Sequence, residues 1–262
     1  MKFMIDAGHG FNTPGKRSFN GMREYEFNRV VASYVKSLLE TYQNVTVYFA
    51  HSDERDVPLK ERTDTANRLK VEAYISIHAN ASGTTWNEAR GIETFVYTTR
   101  PNEAVELAQK VQKYLVTMTG ERNRGIKTDN FHVLRETNMT AILSECGFMT
   151  NKEDEALLES DSYRRTCAEA ITRGIAEQYH LVKKSAVKAD STTAPKPALS
   201  PAPAPSSATA SNASAPTASG SQRDGLYHLQ VGAFTDQKNA EALASRLKAE
   251  GHDVFIDFEA KK

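Results

Sequence analysis

Met4-Ile5-Asp6-Ala7-Gly8-His9-Gly10 is a short apolar run that stops at a histidine bracketed by two glycines. Phe3-Met4-Ile5 has the continuous apolar character of a strand covered on both faces, and glycines on either side of His9 permit a tight turn and close approach of backbone to a ligand. In open α/β sheets, ligands bind in the space beyond the carboxyl ends of the strands. The stretch therefore predicts a buried first strand that delivers His9 to a site. Taken alone, a histidine in a glycine-rich turn is also what a solvated loop looks like.

Outward from this turn, Glu24 to Leu39 carries apolar residues at helical spacing, with Phe27, Val31, Val35 and Leu38 as the inward stripe. At about 100° per residue, Glu24 falls near that stripe and Glu26 well away from it. An acid on the core side needs a partner, while an acid in the first turn complements the helix dipole, and both roles are open to Glu24. Val45 to Ala50 reads as a second strand and Pro58 to Leu69 as a helix entered through proline. In Ala73 to Asn80, Tyr74, Ser76 and His78 share one face, so His78 ends a strand as His9 follows one. Ile92 to Tyr97 is a further strand, Glu103 to Met118 a helix, and Phe131 to Leu134 a short extended piece. Ala141 to Ser144 is the last core strand, closing on Glu145-Cys146-Gly147-Phe148, which gives Glu145 the ligand-bearing position at a strand end. Thr150 and Glu153 have capping-box spacing before a short helix, and Tyr163 to Tyr179 makes the last long one. The alternation predicts an α/β fold, a mostly parallel twisted sheet with helices on both faces.

From Ser185 to about Gln222 the composition collapses to Ala, Ser, Thr and Pro, too poor in large apolar residues to fold. Beyond it, Tyr227, Leu229 and Val231 alternate with His228 and Gln230, a helix follows from Asn239 to Glu250, and Val254-Phe255-Ile256 completes a short βαβ unit. The expected organisation is a catalytic domain over 1–182, a disordered linker over 183–222 and the βαβ unit over 223–262.

An apolar fraction of 39% with 25% charged residues in 262 residues is ordinary for a chain with a proper core. The formal net charge is zero, which gives no global basic footprint for nucleic acid, and no apolar run approaches a membrane span. Cys146 and Cys167 are the two cysteines, too few for a disulfide framework. Cys146, next to Glu145 on a strand, points to the opposite face and reads as a buried structural thiol. No Gly-x-Ser-x-Gly elbow supports a serine hydrolase. Gly10 to Lys16 has the spacing of a phosphate-binding loop, but Arg17 stands where Ser or Thr would hold magnesium. The chain enters its first strand without the features of a signal peptide, which predicts synthesis in the cytoplasm.

His9, Glu24, His78 and Glu145 come from separate elements that a parallel sheet can bring to one rim. Two neutral imidazoles and a carboxylate make a three-ligand zinc site with a fourth position open, the catalytic rather than the structural pattern, and Glu145 remains as a base. These same residues carry a resemblance. Asp6-Ala7-Gly8-His9-Gly10, Glu24-Tyr25-Glu26-Phe27-Asn28, Ser76-Ile77-His78-Ala79-Asn80 and Leu143-Ser144-Glu145-Cys146-Gly147-Phe148 with Asn151 are similar, in order and spacing, to the successive blocks of the zinc-dependent N-acetylmuramoyl-L-alanine amidases of family 3. The likeness covers Met1 to about Leu181. It implies Zn2+ as cofactor, His9, Glu24 and His78 as its ligands and Glu145 as the catalytic glutamate. The implied reaction is hydrolysis of the amide between N-acetylmuramic acid and L-alanine. Tyr227 to Phe234 with Asn239 to Ala242 resembles half of a SPOR-type repeat, a module that binds peptidoglycan.

The expected partner is peptidoglycan, its glycan strands and stem peptides, with no nucleic acid, membrane insertion or obligate protein partner. A wall enzyme made without a signal peptide acts after release, in mother-cell lysis at the end of sporulation or in phage lysis. The alternative is a non-catalytic wall-binding protein, which has no use for a buried base beside a metal. Asp6 is expected to form the strand-end turn or to accept a hydrogen bond from a ligand histidine. His132 and Arg135, just before the Glu145 strand, are candidates for substrate contact or ordinary polar residues.

Overall fold

Phe3, Met4 and Ile5 are fully buried because β1 (Lys2–Ala7) lies inside a six-stranded sheet and is covered on both faces. The computed structural model describes residues 1–13, 15–184 and Ala244. Almost all of the expected linker and the terminal βαβ unit lie outside these residues. The other strands are β2 (Thr46–Phe49), β3 (Ala73–Asn80), β4 (Ile92–Tyr97), β5 (Asn123–Asp129) and β6 (Thr140–Phe148), in the order β2-β1-β3-β6-β4-β5. Strands β2, β1, β3 and β6 run parallel; β4 is antiparallel to β6 and parallel to β5. The helices are α1 (Glu24–Leu39), α2 (Leu59–Leu69), α3 (Asn102–Thr119), α4 (His132–Arg135), α5 (Lys152–Glu159) and α6 (Asp161–Gln178). This is the mostly parallel α/β sheet that the alternation predicts.

Strand alternation sorts the side chains into two cores. On one face Phe3, Ile5, Ile75 and Ile77 pack with Phe27, Val31 and Val35 of α1, Leu107 and Val111 of α3, and Ile171 and Ile175 of α6. On the other, Met4, Tyr74, Phe95 and Leu143 pack with Ala66 of α2 and Val133 and Leu134 of α4. Each large apolar side chain taken from water contributes about 1.5–3 kcal/mol, so the three long helices of the first face carry most of the stability. Among the described residues, α2 and α4 pack on the second face, and a cleft opens beside them at the ends of the strands. Asp6, Ser76, His78, Glu93 and Glu145 share that face with Met4, Tyr74, Phe95 and Leu143.

Five elements differ from the sequence reading. Phe131 to Leu134 is not extended: His132–Arg135 is a helical turn whose Val133 and Leu134 both reach the second core. β5 is absent from the pattern because Ile126 is its one large apolar residue and it lies at the sheet edge. β6 continues through Phe148, so Glu145 sits within the strand rather than at its end. The cap of α5 is Asn151, which accepts from the backbone N–H of Glu153 and Asp154, while the Thr150 hydroxyl accepts from the N–H of Ser82. Within α1, Leu39 rather than Leu38 completes the fully buried stripe.

Candidate metal centre

His9 leaves β1 with φ of 71°, a left-handed conformation that a residue with a Cβ adopts only when its surroundings hold it there. Three elements do so. The N–H of Gly8 donates to the Ile77 carbonyl of β3 at 3.1 Å, and Asn28 of α1 donates to the Gly8 carbonyl at 3.1 Å. Arg62 of α2 donates to Asp6 Oδ1 at 2.7 Å, to the Ala7 carbonyl at 2.9 Å and to the His9 carbonyl. The Arg62 guanidinium is buried, and these bonds with Asp6 as counter-ion satisfy it. Asp6 is thus part of the strand, not of a turn. Burial would raise its pKa, but Arg62 outweighs that and holds the carboxyl below its ordinary value.

Glu24 begins α1 and is buried, while Glu26 is exposed and receives the Arg23 N–H. Glu24 Oε2 lies 3.1 Å from His9 Nε2 and Oε1 lies 2.8 Å from His78 Nδ1. One donor atom from each of the three residues falls within 4.8 Å of the others. Both roles open to Glu24 in the sequence are therefore filled by one residue. Burial alone would raise its pKa; the two imidazoles reverse this and hold the carboxyl well below the usual carboxylate range. Two glycines make the convergence possible. A Cβ on Gly8 would stand 2.0 Å from the His78 ring, and one on Gly15 would stand 2.5 Å from Glu24 Oε2 and 2.6 Å from the His9 ring.

The far side of His78 fixes its tautomer. Ser76 donates its hydroxyl proton to Asp6 Oδ2 at 3.0 Å and lies 3.2 Å from His78 Nε2, so toward the imidazole it can act only as acceptor. The ring proton then sits on Nε2, and the Nδ1 lone pair faces a carboxylate oxygen at 2.8 Å. Two acceptor atoms at that separation need a proton or a cation between them. The donor set of two imidazoles and one carboxylate fits a metal ion on this ground, with Asp6 reaching His78 through Ser76 rather than directly.

Glu145 is aligned with His78 in the β3–β6 register, and Glu93 is aligned with Glu145 across β4. Its Oε2 is buried without a hydrogen-bond partner. Burial, reinforced by the charge of Glu24, pushes its pKa well above the ordinary carboxylate value. Glu93 is differently placed, since it accepts from Asn80 at 2.9 Å, Arg124 at 2.6 Å and Lys127. A cleft of about 810 Å³ opens over the row, with His9, Glu24, His78 and Glu145 in its lining together with Leu59 of α2, Phe131 just before α4 and His132 at its start. Of the two further candidates His132 lines the cleft, and Arg135 is turned to Asn130 and Glu136. Cys146 and Cys167 are buried, free and in the opposite core, as alternation requires.

In the loop from Gly10 to Lys16 the amides of Gly10, Asn12 and Lys16 are committed to Thr13, Asp56 and Glu24. Those three amides are turned to protein acceptors and not toward a phosphate. Sequence reasoning passed over Arg62, Ser76 and Glu93. Ser76 was visible on the His78 face, whereas Arg62 reads as an ordinary helical charge until the fold buries it.

Two histidines and a carboxylate at the end of an α/β sheet, with Glu145 beside them, form a donor set that could hold a metal ion in the manner of a hydrolase. The family model described as N-acetylmuramoyl-L-alanine amidase matches residues 3–177, and the chain belongs to that family. A second model, the SPOR domain, matches residues 224–262. The N-acetylmuramoyl-L-alanine amidase CwlM of Bacillus licheniformis is 34% identical over 257 residues, 98% of this chain and 84% of that one. The sporulation-specific N-acetylmuramoyl-L-alanine amidase of Bacillus subtilis strain 168 is 30% identical over the same length, with the same shares covered. The crystal structure of the N-acetylmuramoyl-L-alanine amidase from Clostridium difficile 630 matches with a TM-score of 0.66 at 35% identity, covering 68% of this chain and 96% of that one.

Proposed function

We propose that the chain hydrolyses the amide joining the lactyl group of N-acetylmuramic acid to L-alanine in peptidoglycan, with Zn2+ held by His9, Glu24 and His78 and with Glu145 as the proton-transfer group. The observation that carries the reading is the enclosed Glu145 Oε2, without a hydrogen-bond partner, on the strand next to that of His78, at the roughly 4.8 Å spacing of neighbouring strands. The chemistry such a site gains from zinc is polarisation of the carbonyl and a water acidic enough to lose its proton near neutral pH. Glu145 Oε2 takes that proton and returns it to the departing alanine nitrogen. Burial raises the Glu145 carboxyl above its ordinary value, which makes its carboxylate form a stronger proton acceptor than an exposed glutamate. Ser76 and Asp6 keep His78 in the tautomer that presents Nδ1, and Arg62 keeps the His9 turn in place.

The family and the amidase relatives support catalysis over a wall-binding role. The likeness to a sporulation amidase along 98% of the chain supports mother-cell lysis as the setting. The SPOR match supports a division in which 1–182 cuts and 223–262 retains the enzyme on the wall. Digestion of purified peptidoglycan tests the reaction. New L-alanine amino termini should appear without new reducing ends, and a chelator should stop their release; new reducing ends would mean a glycosidase and defeat the reading. Limited proteolysis should cut first between Ser185 and Gln222 and leave activity on soluble fragments with 1–181.

A further inference from the structure

Phe19 and Trp86 meet at the surface with ring centroids 4.6 Å apart and planes inclined at 61°. Phe19 is 46% exposed and Trp86 is half-buried, so the pair lies outside both cores. Exposed contiguous aromatics of this kind mark binding surfaces. Their placement says for what. The loop before α1 folds back on itself with its base at the donor set: Lys16 N–H donates to Glu24 Oε2 at 3.1 Å, and Glu24 N–H donates to the Lys16 carbonyl at 3.0 Å. Arg17 bridges Arg23, then Ser18 N–H donates to the Met22 carbonyl at 2.9 Å, and Phe19 stands at the tip. Three residues of extended chain put Phe19 about 10 Å from that base.

Trp86 comes from the loop after β3, the strand that supplies His78, and it is held rather than loose. The N–H of Asn87 donates to the Thr150 carbonyl at 3.0 Å, Asn151 donates to the Asn87 carbonyl at 3.0 Å, and Lys152 Nζ lies 6.0 Å over the indole ring. A fixed aromatic pair is organised in advance for a ligand with a flat apolar face.

We propose that Phe19 and Trp86 form a stacking platform for an N-acetylhexosamine ring of the glycan strand next to the muramic residue being cleaved. The proposal rests on the amidase reading. There the carbonyl under attack hangs from the sugar by one short lactyl group, so when it reaches the donor set the sugar stays at the rim and the strand continues one or two rings beyond. The axial C–H face of a pyranose packs against aromatic faces, and Lys152 and the Asn20 amide stand by for its polar groups. Asn20 already donates to Glu155 at 2.9 Å, which fixes the tip.

Trp86 is the single tryptophan of the chain, so its emission reports this place and no other. Titration of the full chain with peptide-free glycan strands should give a saturable shift in emission, weakened in Phe19→Ala. Glycan held by residues 223–262 leaves the indole unmoved. On intact walls Trp86→Ala should raise KM roughly 3- to 10-fold with kcat unchanged, the scale of one aromatic contact, and Trp86→Phe should restore it. On a lone muramoyl dipeptide all variants should match the parent. Flat emission, or unmoved KM in Trp86→Ala with walls still hydrolysed, overturns the platform alone. Absence of released L-alanine termini from the parent protein overturns the amidase reading, and the emission titration then judges the platform by itself.

Discussion

Glu24 at the start of α1 is buried and Glu145 in the middle of β6 is half-buried with its Oε2 enclosed; both line one cleft, yet the fold treats them in opposite ways. Around Glu24 two imidazoles and a backbone amide converge, and its charge is favoured in spite of burial. Around Glu145 nothing donates to Oε2, Glu24 and Glu93 add negative charge, and the neutral form is favoured. Buried polar groups are ordinarily paired. Of the six buried side-chain atoms among the described residues that lack a partner, Glu145 Oε2 is the one whose residue lines the cleft, which marks it for a reaction, as the pairing of Glu24 marks that residue for holding something.

The sharpest way to break that comparison is replacement of each acid by its amide. Glu145→Gln keeps the side chain's shape and removes the proton acceptor, so metal content should stay while the rate falls by roughly 10²- to 10⁴-fold. Glu24→Gln, like His9→Ala or His78→Ala, should lose metal and activity together. Metal analysis beside a rate measurement separates the classes. If Glu145→Gln loses metal as completely as His9→Ala, Glu145 is a ligand and the division of roles is wrong.

A smaller effect is expected behind His78. Ser76→Ala removes the acceptor for Nε2–H and the link to Asp6, freeing the ring to present the wrong nitrogen. Loss of such a supporting partner typically costs about 10- to 100-fold in metal affinity or activity, so competition with a chelator should show weaker retention. Ser76→Thr keeps the hydroxyl and should recover part of the loss. Unchanged retention in Ser76→Ala would mean that Glu24 alone orients the ring.

Much of this was legible in the residues, because burial leaves periodic traces. The run Phe3-Met4-Ile5, the stripe on α1 and the alternation of Tyr74, Ser76 and His78 each stated a face, and faces brought His9, Glu24, His78 and Glu145 to one rim. Elements that bury little left little trace, as with β5 at the sheet edge and the single turn of α4. Arg62 was illegible for another reason. A charge inside the fold is intelligible only through its partners, and Asp6 and the His9 carbonyl lie more than fifty positions away along the chain.

The smallest effect concerns stability, and it tests the two acids without any chemistry. In protein stripped of metal, Glu145 is raised in the folded state above the value near 4.3 that an unfolded glutamate has. Below that value both states hold the proton and nothing is lost. Above it the unfolded chain releases a proton that the folded chain keeps, so stability falls as pH rises, by about 1.4 kcal/mol per unit at most from this one group. Glu24 is lowered, so its contribution is present above about 4.3 and fades as pH drops through the folded value. Denaturant unfolding across pH 2 to 7 should therefore show the decline toward neutrality flattened in Glu145→Gln, whereas Glu24→Gln is less stable throughout the range above about 4.3, loses the acid-side fall, and keeps a weaker decline toward neutrality because the Glu24 charge no longer adds to the Glu145 shift. Comparison of slopes cancels whatever constant cost a buried glutamine amide adds. A Glu145→Gln profile parallel to that of the parent would mean that the carboxyl finds a partner in solution, and the contrast between the two acids would be gone.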